Sequence, residues 1–82
     1  MKRIGVIGIV IDGNKEVVFD MQNILREYTD IIIGRMGVPR GSISTIALIV
    51  EGSLERINAL TGKLGKIPNI TVKSAITQFE TI

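Results

Sequence analysis

The stretch IGIVIDGN (Ile7–Asn14) returns in kind 39 residues later as IALIVEGS (Ile46–Ser53). Each copy runs from an apolar strand to an acid, a glycine and a residue suited to cap a helix N-terminus. The correspondence continues downstream. Val18, Met21, Leu25 and Tyr28 match Ile57, Leu60, Leu64 and Ile67, an apolar stripe at helical spacing. Ile31 and Ile33 match Ile70 and Val72, the start of a second strand. A chain of 82 residues that writes strand–helix–strand twice is committed to the order βαββαβ.

The first helix is legible independently of the repeat. Val17, Val18, Met21, Ile24, Leu25 and Tyr28 share one face, while Lys15, Glu16, Asp20, Gln22, Asn23, Arg26 and Glu27 cover the other, with Phe19 as the exception. The second is expected from about Leu54 to Leu64, with Gly65 as its C-cap and Pro68-Asn69 turning the chain into the last strand. Val38 to Ser42 reads as the turn between the middle strands. Right-handed crossovers on both units give a four-stranded antiparallel sheet with two helices on one face, the ferredoxin-like α+β arrangement. Residues 1–82 are expected to form a single domain.

In this arrangement the first and third strands are central, and both are apolar on alternate sides. If Ile7, Ile9, Ile11, Ile46, Leu48 and Val50 face the helices, then Val6, Gly8, Val10, Thr45, Ala47 and Ile49 line the open face. That second surface is apolar and built of small side chains, which suits close approach of another sheet. Leaving several hundred Å² of it in water forgoes several kcal/mol, at about 25 cal/mol per Å². The expectation is a homo-oligomer, a dimer or a higher assembly, with these six positions at the interface.

Composition removes several function classes. There is no cysteine and no histidine, which excludes disulfides, thiolate chemistry, imidazole catalysis and metal sites built on those ligands. Ten basic residues against eight acidic ones give a net charge of +2, and the basic residues are scattered. The only aromatics are Phe19, Tyr28 and Phe79, so neither a basic stripe nor a stacking platform for nucleic acid is present. No stretch has the length of a membrane span. The start Met1-Lys2-Arg3-Ile4 begins like a signal peptide, but the apolar run ends at Asp12 without a small-residue cleavage site, so a cytoplasmic location is expected.

The segments DIIIGRMGVP (Asp30–Pro39) and LTGKLGKIPNITVKSA (Leu60–Ala75), with the layout between them, resemble the iron-only hydrogenase system regulators. These are small proteins with an ACT-like fold, similar to the C-terminal domain of nickel-responsive regulators. The resemblance implies a regulatory role, exercised with a small-molecule effector or a regulatory protein partner. It implies neither a metal site nor a DNA reader. Nickel-responsive regulators bind metal through His and Cys, and this chain has no room for their separate ribbon-helix-helix segment. One departure is local: Pro39 is followed at once by Arg40-Gly41-Ser42, where comparable members carry a longer charged loop.

Two places could hold a ligand. In ACT-like domains effectors sit at the first strand-to-helix turn, here Asp12-Gly13-Asn14, where backbone N–H groups and a glycine permit close approach. The alternative is a tight turn with a helix cap, which the fold needs twice and which Glu51-Gly52-Ser53 supplies again. The second place is Gly34-Arg35-Met36-Gly37, where Arg35 is either an anion clamp or interface charge, or a strand-end residue reaching water. Alternation puts Arg35 on the side of Ile31 and Ile33, and a bulge at Gly34 would flip it. The acids sit at turns and on helix surfaces, with Glu16 and Asp20 one turn apart on a wet face, so no catalytic residue and no cofactor are expected.

Overall fold

A computed structural model describes residues 1–82. The elements follow as β1 (Lys2–Asp12), α1 (Lys15–Arg26), β2 (Ile32–Arg40), β3 (Ile43–Gly52), α2 (Leu54–Gly65) and β4 (Ile70–Thr81). The helices repeat at the offset found in the sequence at both ends, Lys15 to Leu54 and Arg26 to Gly65. The strands form one antiparallel sheet in the order β2-β3-β1-β4, so the ferredoxin-like arrangement is present with β1 and β3 at its centre.

β1 and β3 pair without a break from Arg3↔Gly52 to Asp12↔Ile43. That register sends Ile7, Ile9, Ile11, Ile46, Leu48 and Val50 to the helix side, where all six are buried. Val17, Met21 and Leu25 of α1 and Ile57, Leu60 and Leu64 of α2 close the core over them. Full burial of side chains this size contributes about 1.5–3 kcal/mol each. Both helices start on side-chain caps. Asn14 Oδ1 accepts from the N–H of Glu16 (3.1 Å) and Val17 (3.2 Å), and Ser53 Oγ accepts from the N–H of Arg56 (3.1 Å).

Two local features differ from the sequence reading, and a third is one that reading leaves open. The connection between β2 and β3 is shorter: pairing continues through Val38, Pro39 and Arg40, and only Gly41-Ser42 turns the chain, with Gly41 at φ 64°. Gly65 is the last residue of α2 and not a left-handed cap. The helix ends on Lys66 in a right-handed conformation, and the left-handed step comes later, at Asn69 with φ 67°. This delay lets Ile67 pack against the core before the chain turns. Finally, β2 carries a bulge. Ile32 pairs with Val50 and Gly34 with Ile49, so Ile33 is an extra residue and stands 58% exposed.

Tyr28, just past α1, is buried and joins the two helices. Arg56 lies 4.3 Å from its ring centroid and Lys63 5.5 Å. Each cation also meets an acid, Arg56 with Asp30 at 2.7 Å and Lys63 with Glu27 at 3.0 Å. Both pairs are about half exposed, so each contributes little and is weakened by salt.

Two predictions follow from this packing. A Cβ on Gly52 would sit 2.6 Å from Cγ2 of the buried, branched Ile31. Gly52→Ala should therefore destabilise by about 1–3 kcal/mol through overpacking, measured by urea unfolding. The Lys63 pKa is raised, first by its hydrogen bond to Glu27 and then by the Glu27 charge. A raised folded-state value stabilises below the ordinary lysine pKa and is lost as pH rises through the raised one. The stability difference between wild type and Lys63→Met should accordingly be present at neutral pH and fade in strong alkali.

Candidate functional site

The bulge at Ile33 settles where Arg35 points. Arg35 pairs with Leu48, a residue of the helix side, so its side chain leaves the sheet towards α1. No helix sits tightly over this part of β2, and a groove of about 210 Å³ opens between the strand and α1. The buried Ile11, Met21 and Ile46 form its apolar floor beside the half-buried Val18, while Arg35, Gln22 and Ser44 supply polar residues. Pro39 and Gly37 form its edge on the strand. A second hollow of about 140 Å³ adjoins it, lined by Gln22, Leu25, Arg26, Thr29, Ile32 and Arg35. Gln22 and Arg35 border both, so the two form one cleft along the α1–β2 seam.

The electrostatics of this cleft are one-sided. Neither ion pair of the chain involves Arg35, and no carboxylate lines either hollow. Arg26 has an uncharged partner, donating from Nη1 to Asn23 Oδ1 at 3.3 Å. Glu27 and Asp30, the nearest acids in sequence, are engaged by Lys63 and Arg56.

Of the residues singled out in the GRMG segment, the structure brings Arg35 and Gly37 together at the groove. Gly34 and Met36 pair with Ile49 and Ala47 and belong to the opposite face of the sheet. Asp12, Gly13 and Asn14 lie at the β1–α1 turn, outside the lining of the cleft. Asn14 Oδ1 is occupied as the cap of α1, and the Asp12 N–H donates to Asn69 O at 3.0 Å. A Cβ on Gly13 would meet Val17 Cγ2 at 3.0 Å, so this glycine admits the first turn of its own helix. Gln22, Arg26 and Ser44 were not recognisable as site residues. Gln22 and Arg26 read as wet-face positions, and only their i, i+4 spacing along the border of the apolar stripe marks them as neighbours facing one strand.

The open face of the sheet forms a second candidate surface. Three rows cross all four strands: Gly34–Ile49–Val6–Ala75, Met36–Ala47–Gly8–Lys73 and Val38–Thr45–Val10–Thr71. The six positions expected there from the sequence occupy the two central columns. Val6, Gly8, Val10, Thr45 and Ile49 are exposed and Ala47 is half-buried. Lys73 is the one charge in these rows. There is no group of three or more Asp or Glu side chains placed to hold a metal ion, and no helix long and apolar enough to cross a membrane.

The fold is shared with solved structures. The chain is 26% identical to the protein TM1266 of Thermotoga maritima, with a TM-score of 0.91 over 95% of this chain and 100% of that one. The ACT domain of the GTP pyrophosphokinase of Chlorobium tepidum is 17% identical, with a TM-score of 0.79 over 92% of this chain and 100% of the other. An ACT domain protein of Streptococcus pneumoniae is 15% identical, with a TM-score of 0.61 over 90% and 89% of the two chains. No curated protein matches the sequence significantly. Residues 3–74 match the model of a family described as "TM1266-like: Iron-only hydrogenase system regulator, putative". With that match running from β1 into β4, the chain belongs to the TM1266-like family of iron-only hydrogenase system regulators.

Proposed function

We propose that residues 1–82 act as one non-enzymatic regulatory domain, a homo-oligomer that senses a small molecule in the cleft between α1 and β2. The observation that carries the reading is Arg35, an exposed side chain without an ionic partner on the helix side of β2, bordering a partly apolar groove. A charge beside buried apolar side chains is tolerated when its head reaches water or a bound anion. The family description supports a regulatory role, and the likeness to ACT domains supports the fold on which it is built. The reading as a non-enzyme rests on residue chemistry as well: the chain has no histidine or cysteine, and its acids are on turns, caps and helix surfaces.

Self-association is supported by the open face. Val6 and Ile49, a cross-strand pair, are 43% and 38% exposed, and Val10, on the same face, is 39% exposed. An interface of about 800 Å² per partner is usual for a stable pair, and the sheet has the small side chains that such close packing requires. The same observation favours a second reading, a structural interaction subunit with no ligand. A screen of metabolites by thermal shift separates the two, because only a ligand-binding protein gains stability from a small molecule.

The assembly is tested directly. Val10→Lys or Ala47→Arg places a charge in the centre of the apolar surface and should convert the oligomer to monomer in light scattering. A wild-type chain that is monomeric at micromolar concentration removes the self-association part of the proposal.

A further inference from the structure

We infer that the α1–β2 cleft selects a net organic anion, an oxyacid head with an apolar body, and discriminates against zwitterionic amino acids. This inference rests on the reading of the cleft as a ligand site and adds the chemistry of what it takes. Two arginines, Arg26 and Arg35, both exposed, border the smaller hollow together with Gln22 and Thr29, and Arg26 also donates to Asn23 Oδ1. Planar guanidinium donors match the oxygens of a carboxylate or a phosphate. The adjoining larger hollow offers the half-buried Val18 to an apolar body, over a floor of the buried Met21 and Ile46. A bipartite ligand places its head between the arginines and its body along α1.

Selection against zwitterions follows from what the cleft does not contain. An α-ammonium group that gives up part of its hydration on docking needs an acid to offset the loss. No Asp or Glu lines either hollow. A second positive charge beside Arg35 and Arg26 adds like-charge repulsion. A free amino acid thus loses through its ammonium part of what its carboxylate gains, whereas the same skeleton without the amino group does not.

The matched pair isocaproate and leucine tests this, since the two differ only by the α-amino group. Isoamyl phosphate varies the head, and isocaproamide removes the charge. In isothermal calorimetry on the full chain, isocaproate or isoamyl phosphate should bind saturably, with leucine weaker by about tenfold or more and the amide weaker still. Arg35→Met should weaken the anion by about tenfold or more, with the fold intact by circular dichroism. Gln22→Glu, which adds the missing acid beside Arg35, should weaken the anion and strengthen leucine. Leucine binding as well as isocaproate would overturn the anion selectivity while leaving the cleft as a ligand site. Anion binding unchanged in Arg35→Met would overturn the placement of the head. Failure of all four probes to bind at millimolar concentration would overturn the reading of the cleft itself.

Discussion

The pairing of β1 with β3 is the constraint on which the rest of the molecule depends. Its register, unbroken over ten residue pairs, decides which side chains of both central strands meet the helices. A slip of one residue would exchange Ile7, Ile9, Ile11, Ile46, Leu48 and Val50 for Val6, Gly8, Val10, Thr45, Ala47 and Ile49. The first set is large and branched and fills the core. The second is smaller on the whole, with Gly8 and Ala47 between Val6, Val10, Thr45 and Ile49. Two helices can cover one side of four strands, so this division leaves a smooth apolar sheet surface on the outside. The oligomer proposed for the chain is thus a consequence of how the core is sorted.

Much of the fold is legible because it is periodic. The repeat gives the element order, the helical stripes give the buried residues of α1 and α2, and alternation gives the two faces of β1 and β3. What escapes the sequence is aperiodic. The bulge at Ile33 depends on how Ile31 and Ile32 both reach the interior, Ile31 buried against Gly52 and Ile32 packed beside the core, which no local pattern of the three isoleucines reveals. The role of Gly52 is equally non-local, since the side chain it makes room for lies in the other repeat unit. The cation stack on Tyr28 joins residues 28 and 35 positions apart, Arg56 and Lys63, that look like ordinary surface charges when read along the chain.

The candidate site was half legible for the same reason. Arg35 draws notice as a lone charge among isoleucines and glycines. Its surroundings come from α1, one element earlier, and from Ser44 and Ile46 across the hairpin. The turn Asp12-Gly13-Asn14 has the composition of a binding loop, and that composition is also what a capped helix start requires. The structure gives Asn14 capping bonds and gives Gly13 a close neighbour in Val17.

The matching offsets of the two helices make the chain a pseudo-symmetric object, and its symmetry fails in one informative place. Advancing the cleft by one repeat turns Val18, Met21, Gln22 and Arg35 into Ile57, Leu60, Thr61 and Ser74. Facing α2, the edge strand β4 carries Ile70, Val72 and Ile76, all packed against the core. Facing α1, the edge strand β2 offers Arg35, Gly37 and Pro39, and the seam stays open. One copy of the unit closes the seam between helix and edge strand, and the other leaves it open. The residues that β2 gives to that border, Arg35, Gly37 and Pro39, are exposed and lie outside the core, so the border is free to change its chemistry at little cost to folding.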